Sequence, residues 1–165
     1  ISALIRYQVG ALSQIAASEG GALHYVKPHG ALYNDMMRNE AILEAVLVAI
    51  QSSPQPLALM AMSTADNQPL KAACQRHRVA LLLEAFADRA YDQNGYIVAR
   101  SQPGAVHQDQ QTIIEQARNL SAGKPIQTIE GAPLHLEADT LCVHGDNADS
   151  VASVKAIRAA LGAKG

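Results

Sequence analysis

The sequence predicts an α/β fold built on a mainly parallel sheet, and three observations carry that reading. Helix-period segments and short apolar runs alternate as helix, strand, helix, strand, helix, strand. The strand-like runs are nearly continuous in apolar residues, as expected where both faces of a sheet are covered. Each is separated from the next by a helical segment, the crossover that parallel neighbours require.

Taken in order, residues 2–19 read as a helix packed by one face, with Leu4, Val9, Leu12 and Ile15 at helical spacing and Gly20-Gly21 as its stop. A strand follows at 22–27. Asn39 is placed to cap a second helix, whose stripe of Ile42, Leu43, Val46, Leu47 and Ile50 ends at Ser52-Ser53-Pro54. Leu57 to Met62 reads as a short buried strand. Pro69 suits the first turn of a helix running to about His77, and Val79 to Phe86 is a strand, apolar but for Glu84. Asn94-Gly95, between Tyr91 and the run Tyr96 to Ala99, is a hairpin signal. The chain is therefore expected to leave the alternation there in a small excursion suited to a lid. A helix at 108–122 carries Ile113, Ile114, Ala117 and Leu120 and stops at Gly123. Asp139 to Val143 is the last strand, and Val151, Val154, Ile157 and Leu161 mark the last helix.

Composition narrows the function. The chain's 165 residues fit one domain with a core large enough to need no disulfide or structural metal. With a formal net charge of −2 and no cluster of lysine and arginine among aromatics, neither a nucleic-acid surface nor a membrane patch is indicated. Cys74 and Cys142 form no CxxC pair, which fits a reducing compartment and a cytoplasmic home. No apolar stretch reaches the roughly 18 to 20 residues of a membrane span. The chain opens at Ile1 and enters a helical pattern almost at once, which raises the expectation of sequence upstream.

Three strand ends carry chemistry-bearing side chains. The first holds Lys27, His29, Tyr33 and Asn34; Lys27 and His29, two apart, point to one side of an extended backbone, while Pro28 and Gly30 shape the turn. The second holds Glu84, Asp88, Arg89 and Tyr91, and the third His144 and Asp146. If the strands are parallel, all three clusters fall at the carboxyl edge of the sheet, where ligands bind in such folds.

Each residue also has a plainer reading. Glu84, set in an apolar run, is either an acid or base of altered affinity for protons or one half of a structural ion pair. Asp146 either orients the His144 imidazole or caps the last helix. Lys27 fits a solvated surface cation, and Tyr33, Tyr91 and Tyr96 fit packing with wet hydroxyls. There is no GxxxxGK[ST] loop, GxGxxG fingerprint, HExxH or GxSxG elbow. His24, His77, His107 and His135 lack ligand spacing and read as packing or surface residues, so no metal site is assigned.

Read together, these segments resemble the LamB/YcsF family. The resemblance rests on HYVKPHGALYN from His24 to Asn34, EAFADRAY from Glu84 to Tyr91, GYIVARSQPGAV from Gly95 to Val106 and ADTLCVHGDN from Ala138 to Asn147, with YQVGAL at Tyr7 to Leu12. It implies a parallel-stranded distorted (β/α) barrel like that of polysaccharide deacetylases, here a single partial-barrel domain over 1–165 lacking its N-terminal strands. It implies one component of an ATP-dependent system that opens the lactam of 5-oxo-L-proline to L-glutamate, working with two partner subunits, with ATP as co-substrate and magnesium accompanying it. Catalytic roles then fall to Lys27, His29, Glu84, Asp88 and His144, and substrate binding to Tyr33, Asn34, Arg89, Tyr91 and Asp146. A barrel short of strands exposes sheet edges, so the isolated chain is expected to be inactive or to depend on oligomeric packing. Two other readings stay open: a metal-dependent deacetylase-like hydrolase, and a non-catalytic subunit that binds ligand for its partners.

Overall fold

The computed structural model describes residues 1–144 and 148–162. Among them are six helices, α1 (Ser2–Ser18), α2 (Gly30–Met36), α3 (Glu40–Gln51), α4 (Gln68–His77), α5 (Gln110–Ser121) and α6 (Ala148–Ala160). The strands are β1 (Tyr25–Val26), β2 (Ala58–Met62), β3 (Leu81–Phe86), β4 (Ile126–Gln127), β5 (Pro133–Leu134) and β6 (Thr140–Cys142). Four strands form a sheet in the order β1-β2-β3-β6, with β1 parallel to β2 and β3 parallel to β6. The α/β class and the parallel sheet expected from the alternating pattern are both present.

Inside what the sequence presents as one domain, the chain divides into two compact units. One comprises residues 1–61 and 67–82, the other residues 62–66 and 83–165. In the first, α3 is the central element. Asn39 caps it, its side-chain oxygen accepting from the N–H of Ala41 (3.0 Å) and Ile42 (3.3 Å), and Val46 and Leu47 are fully buried. Cys74 of α4 is buried too, and burial pushes its thiol up to about 11, so it fills space as an apolar side chain. On the surface, Arg76 and His77 of α4 hold Glu44 of α3, which keeps that carboxyl below its ordinary range.

The amino-terminal helix corrects one expectation. Leu4, Leu12 and Ile15 are exposed, along with Tyr7, and the buried residue of α1 is Ile5. The face toward α3 is made of smaller groups: the Ser2 hydroxyl donates to the carbonyl of Ala45 at 2.7 Å. The Ser13 hydroxyl accepts from Gln55 at 2.8 Å. Hydrophobicity alone therefore misidentifies the packed side.

In the second unit, α5 and α6 pack on a core of Ala87, Ile113, Ile114, Ala117 and Ile157. Asp109 caps α5: its carboxylate accepts from the N–H and the hydroxyl of Thr112, both at 2.8 Å, which holds it below the usual carboxylate range. An antiparallel pair, β4 with β5, follows α5 and has no counterpart in the sequence reading.

The excursion at Asn94-Gly95 is a tight turn in which Asp92 accepts from the N–H groups of Asn94 and Tyr96, both at 2.9 Å. Antiparallel bridges Tyr91–Ile97 and Arg89–Val106 extend it. The turn is pinned: the Ala65 N–H donates to the Asn94 carbonyl at 3.0 Å, and Gly95 has φ +82°. A Cβ at Gly95 would stand 2.5 Å from the Ala65 nitrogen and 2.8 Å from the Thr64 Cα, backbone atoms that cannot swing aside. Gly131 has a similar φ of +85° but open space around it. Gly95→Ala is therefore expected to lower stability by about 3 kcal/mol or more, and Gly131→Ala by about 1 kcal/mol, in urea unfolding. Equal costs would show that the contact with residues 64 and 65 does not constrain the turn.

Candidate functional site

The site in the second unit starts from strand register. β3 and β6 pair in parallel with Glu84 opposite Thr140, Ala85 opposite Leu141 and Phe86 opposite Cys142. The ladder continues one bond further, the Ala87 N–H donating to the Cys142 carbonyl at 3.0 Å. Two residues beyond the last pair stand Asp88 on one strand and His144 on the other, and they meet. Asp88 Oδ2 accepts from the His144 backbone N–H at 3.1 Å and lies 2.9 Å from its ring Nδ1. The imidazole stacks on Phe86, ring centroids 5.7 Å apart and planes 14° from parallel.

A carboxylate only accepts, so Nδ1 carries the proton in this pair, and in the neutral ring Nε2 keeps its lone pair. That is the tautomer a general base needs. Asp88 is 5% exposed, and its second oxygen, Oδ1, is buried without a hydrogen-bond partner among the described residues. His144 is half-buried, so the ring is held and still reachable.

The loop that carries Asp88 is fixed at several of its polar atoms. The Phe86 N–H donates to the Tyr91 hydroxyl at 2.6 Å, the Asp88 carbonyl accepts from the His107 N–H at 2.9 Å, and the Ala90 N–H donates to the Ala105 carbonyl at 3.0 Å. Arg89 is buried and donates through Nε to Ala105 and through Nη2 to Val98, at 3.2 and 2.6 Å. Burial lowers the affinity of this guanidinium for its proton and raises that of the Tyr91 phenol. Two side chains that the sequence offers for substrate binding, Arg89 and Tyr91, thus bond the loop's own backbone. Glu84 is buried within β3, and the Ser63 N–H donates to its backbone carbonyl at 2.9 Å.

Sequence reasoning passes over Gln116, a buried amide in the stripe of α5 between Ile113 and Leu120. An amide at a helix position otherwise apolar is the available signal. It also lines a cavity of about 490 Å³ together with His107, Thr112, Asn119, Ile126 and Thr128.

In the first unit, β1 ends at Val26 and the chain turns into α2, a short helix that the sequence presents as a loop. Lys27 Nζ lies 5.9 Å over the ring of Tyr33, which is buried. His29 is exposed at the N-cap position of α2 and makes no capping bond with its side chain; Asn34 Nδ2 donates to the Gly30 carbonyl at 3.2 Å. Asp146 lies outside the described residues. Among the described residues no group of three or more His, Cys, Asp or Glu is arranged to hold a metal ion, and no helix is long and apolar enough to cross a membrane.

The model of the LamB/YcsF family matches residues 1–165. The chain is 52% identical over 161 residues to the A subunit of 5-oxoprolinase from Pseudomonas fluorescens, covering 98% of this chain and 64% of that protein. It is 50% identical over 155 residues to the corresponding 5-oxoprolinase component of Chromohalobacter salexigens, 94% of this chain and 62% of that one. The crystal structure of a lactam utilization protein from Thermus thermophilus superimposes with a TM-score of 0.86 at 30% identity, covering 98% of this chain and 63% of that one. The chain therefore spans less than two thirds of the length of these relatives.

Removing the Tyr91 hydroxyl tests the loop's rigidity. Tyr91→Phe removes the hydroxyl to which the buried Phe86 N–H donates and is expected to cost about 1 to 3 kcal/mol in urea unfolding. A neutral result would mean that the loop's backbone finds another partner.

Proposed function

The chain belongs to the LamB/YcsF family, and from that premise we propose that it serves the opening of a lactam, 5-oxo-L-proline, to L-glutamate as one component of an ATP-dependent 5-oxoprolinase. The relatives carry the name of one subunit of that enzyme, which supports a multi-subunit assembly; two partner subunits and a cytoplasmic location belong to the same proposal. So does a barrel of which the parallel strands described above would form an arc.

The observation that carries the proposal is the double acceptance by Asp88 Oδ2 from His144. Opening a lactam requires water to lose a proton as its oxygen bonds the carbonyl carbon, and the ring nitrogen to gain one as the carbon–nitrogen bond breaks. His144 Nε2 is suited to both, taking the proton from water and returning it to the leaving nitrogen. Asp88 holds the ring in the required tautomer and stabilises the imidazolium formed between the two transfers. The stack on Phe86 fixes the plane of the ring.

An unstrained five-membered amide resists water, and ATP, with its magnesium, is the co-substrate that supplies activation. The sequence holds neither of the glycine-rich phosphate-loop signatures. Lys27 is proposed to stabilise developing negative charge, His29 to assist proton transfer, Glu84 to activate water or the lactam nitrogen, and Tyr33 and Asn34 to contact substrate.

The test is turnover of 5-oxoproline with ATP by the chain assembled with the other subunits of its 5-oxoprolinase. His144→Asn keeps a polar side chain at the position and removes the base; kcat should fall by about 100-fold or more while substrate binding persists. An unchanged kcat would remove His144 from the chemistry and favour a non-catalytic role in which the chain binds ligand for its partners.

A further inference from the structure

We propose that Gln116 is a positioning residue for the Asp88–His144 pair, its amide clamping both ends of the turn that presents Asp88. The proposal deepens the reading above and rests on it for its catalytic consequence.

Gln116 Nε2 donates to two backbone carbonyls, that of Phe86 at 2.9 Å and that of Arg89 at 2.7 Å. These residues bracket Asp88. Both hydrogens of one amide nitrogen are thereby engaged, and neither a carboxylate nor an aliphatic side chain can supply two donors from one atom. The side-chain carbonyl is held in turn, with Oε1 3.3 Å from the ring Nε2 of His107. The same histidine's backbone N–H donates to the Asp88 carbonyl. Gln116 and His107 therefore grip residues 86, 88 and 89 from one side, while Oδ2 of Asp88 grips His144.

The clamp bears on geometry because β3 has already ended at Phe86. Among the described residues the bond of Ala87 is the last ladder bond past that point, and Asp88 is held by its bonds to His107 and His144 and by the loop that carries it. The two carbonyls also need donors for their own sake, since Gln116 is 8% exposed and its bonds are buried ones. Gln116 also lines the cavity of about 490 Å³, which gives a substituted side chain room, so loss of the clamp need not disrupt the packing of α5.

Two variants and two readouts test this, with His144→Asn as the control. Gln116→Leu removes both donors and should lower kcat by about 10- to 100-fold with little change in KM, because a small displacement of Asp88 misaligns the base without touching substrate contacts. Gln116→Glu sets a carboxylate against two carbonyl oxygens. Its protonated form restores one donor, so the ratio of its kcat to that of the unsubstituted chain should rise as pH falls, a recovery that Gln116→Leu lacks. The second readout needs no turnover. Ring nitrogen-15 resonances of the neutral His144 imidazole should report Nδ1–H in the unsubstituted chain and move toward a tautomer mixture in Gln116→Leu.

Normal kcat together with an unchanged His144 ring signature in Gln116→Leu overturns the proposal. So does a loss of activity in Gln116→Glu that is the same at every pH. If His144→Asn turns over normally while Gln116→Leu still disturbs the ring signature, the clamp stands and the catalytic reading falls, so the two ideas fail separately.

Discussion

The register of β3 on β6 is the constraint on which the proposed chemistry depends. In a parallel pair, residues at equal distances beyond aligned partners leave the sheet side by side. Phe86 opposite Cys142 therefore sets Asp88 beside His144, two residues further on each chain and 56 apart in sequence. A slip of one residue would turn one of the two side chains to the opposite face. Register supplies proximity; it does not supply the orientation of a carboxylate toward a ring nitrogen.

Orientation comes from the loop, and its construction explains why so many polar residues cluster there. Tyr91, Arg89, His107 and Gln116 each bond backbone atoms between residues 86 and 106, so the turn is determined from several directions. The excursion through Gly95 closes this arrangement: its bridges to Tyr91 and Arg89 tie the far side of the loop, and its own turn is anchored on Thr64 and Ala65. Rigid support of this kind suits a group that must orient an imidazole in a fixed tautomer. It also explains why Asp88 can keep one oxygen buried without a partner among the described residues.

Much of this is legible in the sequence, and for identifiable reasons. Apolar runs at Leu57 to Met62 and Val79 to Phe86 are long enough to declare strands, and Asn39 and the stripe behind it declare α3. Asp88 and His144 stand out because reactive side chains follow apolar runs. Their pairing with each other does not, since Asp146 is nearer to His144 along the chain and register cannot be read from one sequence. Arg89 and Tyr91 look like substrate groups because nothing in a sequence distinguishes a guanidinium facing a ligand from one facing its own backbone. The packed side of α1 escapes a hydrophobic reading because serines, not leucines, make its bonds to the rest of the first unit. Strands of two residues such as β4 and β5 carry too little pattern to register, and α2 begins at Gly30, a residue that argues for a turn.

The most direct measurement of the central claim is a double-mutant cycle on Asp88 and His144, read in kcat for 5-oxoproline in the assembled enzyme. If the carboxylate works through the imidazole, Asp88→Asn and His144→Asn will each lower kcat severely, and the double variant will be little worse than His144→Asn alone. Losses that multiply in the double variant would mean that the two residues act independently, and the dyad would not be the working unit of this fold.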